Sequence, residues 1–269
     1  MELEHGQVAV VTGAASGIGF GIAEGFARRG LNVVLADIEA PALAAAEAKL
    51  TSLAPATMAQ VTDVSDRAQV LALAEQTVAR FGRVDVICNN AGVTLPTKAA
   101  WELDDEDWRW VLGVNLWGVI YGIEAFVPRL VEQGRGHVVN TASIMGLASW
   151  PNAAAYTASK HAVVAISETL RGDLDQRGIG VGVTVLCPSH VPTNIADAAR
   201  NRPAALTPRA PTAEGQPRDR SPHVPVLPVE VGEMVAAAVE KGRFYLTTHR
   251  DAGGPVRARM DRILAEVDG

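Results

Sequence analysis

Six short runs of apolar, largely β-branched residues, at 8–11, 33–36, 84–88, 138–141, 181–187 and 244–247, are separated for the most part by stretches long enough to form helices. Strands that are apolar on both sides must be covered on both faces, and strands that alternate with helices run parallel. The pattern predicts an α/β fold, a doubly wound parallel sheet of the Rossmann type, with ligand at the carboxyl ends of the strands. No repeat and no second compositional regime interrupts it, so the 269 residues are read as one domain, 1–269.

The helical stretches keep a 3.6-residue period. After Gly19 the apolar positions Ile22, Ala23 and Phe26 share a face, and Arg28-Arg29-Gly30 supplies a basic last turn and a glycine stop. A second helix is expected from about residues 104–107, with Trp108, Val111, Leu112, Val119 and Ile123 on one side, ending before Pro128 or at Gly134. Residues 251–269 read as a helix or a tail. Periodicity is lost from 193 to 228, where seven prolines stand among five arginines. Within 200–222 those five arginines face only Glu214 and Asp219, and a long loop of this kind inside a compact domain reads as a substrate lid.

The formal net charge of −6 offers no cationic field for nucleic acid, which is not expected as a partner. No run of about 18 apolar residues occurs and the first residues have no basic segment followed by an apolar one, so a cytoplasmic protein without a membrane partner is expected. Cys88 and Cys187 lie in apolar runs with no metal-ligand spacing around them; they read as reduced core thiols, and no metal is expected.

The chemistry begins at Thr12-Gly13-Ala14-Ala15-Ser16-Gly17-Ile18-Gly19, between the first strand and the first helix. Glycines let the backbone turn and approach a pyrophosphate, and the helix N-terminus offers free N–H groups and the positive dipole end. Asp37 closes the second strand 18 residues beyond Gly19, near the distance at which an acid reaches the adenosine ribose; its alternative role is a turn residue before the next helix. A carboxylate about 4 Å from a 2′-phosphate would repel it by roughly 1 to 4 kcal/mol per unit charge, favouring NAD about tenfold or more. No Arg or Lys stands at 14–16 or 38 to bind that phosphate, so NAD is expected rather than NADP.

Tyr156 and Lys160 lie at i and i+4 on one helix face, and Ser143 lies thirteen residues before Tyr156, just past a strand's carboxyl end. Asn115 falls on the apolar stripe of the second helix, so its amide faces the interior and needs a partner, whether for packing or for chemistry.

With these pieces, and with Asp63-Val64, Asn89-Asn90-Ala91-Gly92 and the stretch from Cys187-Pro188 to Thr193, residues 7–195 resemble the short-chain dehydrogenase/reductase family. The resemblance implies a catalytic tetrad of Asn115, Ser143, Tyr156 and Lys160. It implies a cofactor site at Gly13, Ser16, Gly17, Ile18, Gly19, Asp37, Asp63, Val64, Asn90, Ala91, Gly92, Tyr156, Lys160, Pro188, Val191 and Thr193. Asp63 should touch adenine and the segment 89–92 should brace the sheet beside the ribose. Ser189 departs from the pattern, standing where the family usually has glycine. The resemblance further implies a homodimer or homotetramer joined through helices near 105–132 and 154–177.

The expected reaction interconverts a secondary alcohol and a ketone with NAD. Free tyrosine has a pKa near 10 and must come down by roughly 2 to 3 units, about 3 to 4 kcal/mol, to act as a base near neutrality. A nearby ammonium and the oxidised nicotinamide ring can supply that. Thr94, Met145, Leu147, Trp150 and His190, with Ser143 and Tyr156, are the expected substrate contacts, and the roomy, partly aromatic pocket suggests a bulky or aryl alcohol. Trp101, Trp108, Trp110 and Trp117 read as core or subunit contact. The rivals are an NADPH-dependent carbonyl reductase on the same tetrad and a non-catalytic cofactor-binding regulatory protein.

Overall fold

Seven parallel strands form the sheet, in the order β3-β2-β1-β4-β5-β6-β7. They are β1 (Val8–Thr12), β2 (Asn32–Asp37), β3 (Thr57–Val61), β4 (Val86–Asn89), β5 (Gly136–Thr141), β6 (Val181–Cys187) and β7 (Tyr245–Thr247). The computed structural model describes residues 1–206 and 224–267. The central part of the expected lid, with Arg209, Arg218 and Arg220, lies outside the described residues.

All six apolar runs are strands, within two residues of their expected ends. The sequence reading missed β3, and its position explains why. It is an edge strand of intermediate burial that ends in Val61, 53% exposed, and so carries no continuous apolar run. The strand order reverses between β1 and β4, and in an open sheet that break leaves a crevice at the strands' carboxyl ends.

Helices cover both faces: α1 (Gly17–Ala27), α2 (Ala40–Leu50), α3 (Arg67–Phe81), α4 (Asp105–Leu112), α5 (Gly118–Gln133), α6 (Ala154–Gln176), α7 (Pro228–Glu240) and α8 (Gly253–Val267). The expected second helix is two helices, α4 and α5, joined by a π-helical turn, Gly113–Trp117, that holds Asn115. Of the two expected ends, Gly134 is the real one: it adopts the left-handed conformation at φ 69°, while Pro128 sits inside α5. Pro128 is exposed, so its missing N–H breaks no buried bond, and Ala125, Phe126, Val127 and Leu130 around it hold α5 on the sheet. The continuous helical stretch Asp105–Gln133 is long and apolar enough by composition to cross a membrane, yet half of its most apolar window is buried inside the fold.

Two glycines fix how the first helix sits. A Cβ on Gly21 would lie 2.0 Å from the Pro228 carbonyl oxygen, and one on Gly232 would lie 1.8 Å from that of Gly21. The backbones of α1 and α7 therefore touch, and α7 holds from behind the helix whose N-terminus opens into the crevice. Cys88 and Cys187 are both buried and reduced, and burial pushes the Cys187 thiol up to about 12. The C-terminal segment is a helix, α8, with Met260, Leu264 and Val267 exposed.

Candidate active site

One cleft runs along the carboxyl edge of the sheet. It is lined by the glycine loop 13–19, by Asp37, by Asp63 and Val64, by the segment 90–92, and by Tyr156, Lys160, Pro188 and Thr193. Gly13 is left-handed at φ 65°, and a Cβ there would lie 2.8 Å from Ala91 Cα; a Cβ on Gly19 would lie 2.0 Å from the Gly13 carbonyl oxygen. The loop is thus folded tightly on itself and on the strand β4 connection, and only glycine fits. Ser16 is the N-cap of α1 but makes no side-chain cap bond, and the first turn carries no acid. The helix's first amides consequently remain available to an anionic group.

Thr12 joins the glycine loop to the segment after β4. Its hydroxyl accepts from the main-chain N–H of Asn90 and Ala91 at 2.9 and 3.1 Å, and its carbonyl accepts from Asn90 Nδ2 at 2.9 Å. Behind it a buried polar ladder crosses the sheet: Asn89 Nδ2 donates to Asn140 Oδ1 at 2.9 Å, and Asn140 Nδ2 to Ser167 Oγ on α6 at 3.0 Å. Asp63 accepts from the main chain and hydroxyl of Ser65 at 2.9 and 2.7 Å. Asp37 receives the N–H of Ala15 on one carboxylate oxygen and that of Glu39 on the other, each at 3.0 Å.

At the other end of the cleft, Ser143 stands two residues beyond β5, is 6% exposed, and hydrogen-bonds the Tyr156 hydroxyl. Burial pushes that hydroxyl above its ordinary pKa, and the Ser143 bond opposes the rise. Lys160 is buried, donates to the Thr141 carbonyl at 2.9 Å, and has its ammonium 5.7 Å from the Tyr156 ring centroid. Desolvation pulls its pKa down to about 8, so part of the cost of burying an ammonium is carried in the folded protein. Because the tyrosine is raised, the lowering that base chemistry requires must come from positive charge set beside it, Lys160 from one side and a bound ligand from the other.

Asn115 is fully buried. Its amide nitrogen donates to the Val93 carbonyl at 2.9 Å and to Ser159 Oγ at 3.2 Å, and its oxygen accepts the Val93 N–H at 2.8 Å. The side chain thus orders the loop after Gly92. Ser189 needs no glycine geometry: among the described residues only Asn152 combines a side chain with positive φ, and the Ser189 N–H donates to Thr248 Oγ1 at 3.0 Å.

The expected substrate contacts divide. Ser143, Met145 and Trp150 lie on the β5–α6 connection that leads to Tyr156, and His190 follows β6, with its carbonyl accepting the Val226 N–H at 3.2 Å. Met145, Trp150 and His190 do not line the cleft itself, and Leu147 faces a separate cavity with His161 and Glu168. Val191 packs on the core beneath, while Thr193 reaches Gly17. Of the four tryptophans around the second helix, Trp110 is 4% exposed and lines the cleft, whereas Trp101 and Trp117 are exposed.

Sequence reasoning also missed charged residues. The start of the proline-rich segment is a kinked 3₁₀ strap, Asn194–Asn201, that lies along the cleft. Arg200 in it donates to Glu39 at 2.5 Å, which brings a cation to the lining beside Asp37 from outside positions 14–16 and 38, where the sequence has none. The Arg200 bond, helped by one from Asn201, holds the Glu39 carboxyl below its ordinary pKa. On the other side Arg202 donates to Asp107 at 2.6 Å, and Lys98 donates to the same buried carboxylate at 2.8 Å. Burial alone would raise the Asp107 pKa; the two cations more than reverse it.

The sequence profile of the short chain dehydrogenases matches residues 7–204. The chain belongs to the short-chain dehydrogenase family. It is 39% identical over 263 residues to the 1-deoxy-11-beta-hydroxypentalenate dehydrogenase of Streptomyces exfoliatus, covering 97% of this chain and 90% of that one. A short-chain dehydrogenase/reductase from Burkholderia phymatum, solved in complex with NAD, superposes with a TM-score of 0.90 at 40% identity, covering 99% of this chain and 97% of that one. An actinorhodin polyketide ketoreductase variant solved with NADPH superposes at 0.79 with 31% identity, covering 93% and 98%. As a short-chain dehydrogenase the chain is an oxidoreductase acting on CH–OH groups of small molecules with NAD(P).

Proposed function

We propose that this short-chain dehydrogenase transfers a hydride between a bulky or aryl secondary alcohol, or its ketone, and NAD. The observation that carries the reading is one cleft lined by Asp37 at one end and by Tyr156 and Lys160 at the other, with Ser143 bonded to the tyrosine. The residues present suit a dinucleotide: the uncapped N-terminus of α1 would hold the pyrophosphate, Asp37 the ribose hydroxyls, Asp63 and Val64 the adenine, Asn90 to Gly92 the second ribose, and Pro188 and Thr193 the carboxamide. When bound, the oxidised dinucleotide supplies the hydride acceptor.

Tyr156 takes the alcohol's proton on its phenolate oxygen while Ser143 donates a hydrogen bond to the oxygen becoming a carbonyl. Lys160 holds the phenolate and the ribose by charge. Asn115 contributes by ordering Val93 and Ser159 on either side of this group. The described strap, Asn194–Asn201, lines the cleft and helps to shield it from water. Self-association through α4, α5 and α6 gives a homodimer or homotetramer, which light scattering would contradict by finding a monomer.

A second reading, an NADPH-dependent carbonyl reductase on the same group, draws on Arg200 in the cleft lining. Its pairing with Glu39 and the presence of Asp37 favour NAD. The test is initial-rate absorbance at 340 nm, with NAD and NADP separately, against aliphatic, alicyclic, steroid and aryl secondary alcohols. Turnover with NAD on a bulky class supports the proposal; turnover only on small aliphatic alcohols defeats the substrate assignment. Cofactor binding without any turnover would bring forward the regulatory rival.

A further inference from the structure

Arg200 and Glu39 take no part in the proton chemistry, and they lie 161 residues apart in the chain, yet they meet at the cleft lining beside Asp37 and Ile38. The arginine is held in two places. Its Nη1 donates to the strap's own carbonyls, Asp197 at 2.8 Å and Asn194 at 3.2 Å, and its Nη2 donates to Glu39 Oε1 at 2.5 Å. The same Glu39 oxygen receives Asn201 Nδ2 at 2.8 Å. Removing the Glu39 carboxylate therefore leaves Arg200 anchored through Nη1 and frees Nη2 within the cleft. Asp37, by contrast, is fixed by two main-chain amides, one of them that of Glu39 itself, so the two carboxylates keep a set relation to each other.

We propose that Glu39 is a cofactor-selecting residue: it neutralises Arg200, which would otherwise pair with a phosphate monoester on the adenosine ribose. With Glu39 present, the three side chains at this end, Asp37, Glu39 and Arg200, sum to one negative charge, and a 2′-phosphate meets net repulsion. Without it they sum to zero, and Arg200 Nη2 and Asn201 Nδ2 both lose their acceptor at the cleft lining, the arginine alone of the two bringing charge. One unit of charge at this range, in a half-exposed setting, is worth about tenfold in affinity. The inference rests on the assignment of this end of the cleft to the adenosine ribose and deepens the NAD preference proposed from Asp37.

The test is calorimetric titration of NAD and of NADP into the wild type, Glu39→Ala, Arg200→Ala and the double variant, read as the ratio of the two dissociation constants so that any common loss of affinity cancels. Glu39→Ala should shift the ratio toward NADP by about tenfold, and Arg200→Ala in that background should remove most of the shift. The shift should shrink at high salt. An equal shift with and without Arg200 would mean that only lost repulsion is at work, and no shift would mean the pair is a mere strap fastening; either overturns the proposal. A wild type that binds NADP more tightly than NAD would refute the NAD reading on its own, while the coupling between the two substitutions would still decide the role of Arg200.

Discussion

At the Tyr156 end of the cleft, Ser143 and Lys160 are buried and are tied by a hydroxyl bond and a main-chain carbonyl, whereas at the Asp37 end Glu39 and Arg200 meet through an ion pair that stays 29% and 39% exposed. The first arrangement is local. Its residues lie within 18 positions of one another, on one connection and one helix face. The second joins the start of α2 to a strap in the last third of the chain. Buried, short-range chemistry is costly to perturb and is spelled out by spacing, while exposed, long-range pairing is weaker in energy and tunes selectivity.

Substitutions at the two ends should therefore differ in kind and in size. Ser143→Ala removes the donor to the developing carbonyl and should lower kcat about 10²- to 10³-fold on an alcohol that the wild type turns over, with dinucleotide affinity nearly unchanged. A fall confined to KM would contradict the role. Lys160 gives a stability readout. Its folded pKa of about 8 lies below the unfolded value near 10.5, so the buried ammonium costs stability in full below pH 8 and the cost is relieved as pH rises between those values. Wild-type stability relative to Lys160→Met should rise from pH 8 to pH 10 by on the order of 2 to 3 kcal/mol in denaturant titrations; parallel curves would show that the lysine is not desolvated.

The expected sizes fall further along the strap. Asp107→Asn weakens two charge-assisted bonds to one buried carboxylate and should destabilise the protein by about 2 kcal/mol, seen as a lower urea midpoint at unchanged slope. Asp37→Ala should shift the NADP-to-NAD affinity ratio by about tenfold with turnover on NAD retained. If Asp37→Ala instead abolished turnover, the division between a catalytic and a selecting end would fail.

What could be read in the sequence follows the same division. Six strands were legible because each carries a largely apolar run, even β7 at the other edge of the sheet; β3 was not, since its half-exposed edge position leaves Thr57 and Gln60 among its apolar residues. The glycine loop stood out because it joins a strand to a helix, and Ser143, Tyr156 and Lys160 because with the other motifs they resemble one family; the fold brings Tyr156 and Lys160 to the same cleft as the loop. The π turn around Asn115 was not, because its one-residue change of phase leaves Val111, Asn115 and Val119 in an ordinary helical stripe. Nor was the Arg200–Glu39 pair. An arginine in a proline-rich segment looks like any solvated charge until the fold brings a carboxylate to it. Ser189, which seemed a departure, is accommodated because the backbone there asks nothing of glycine.

The central claim is that Tyr156 takes the proton in an NAD-dependent alcohol oxidation, and Tyr156→Phe tests it most directly, with NAD affinity and turnover measured on the same preparation. The account predicts NAD binding within a few-fold of wild type and turnover lower by at least about 10³-fold, with the wild type's pH-dependent rise in kcat absent from the residual rate. Turnover near the wild-type rate in Tyr156→Phe would contradict it.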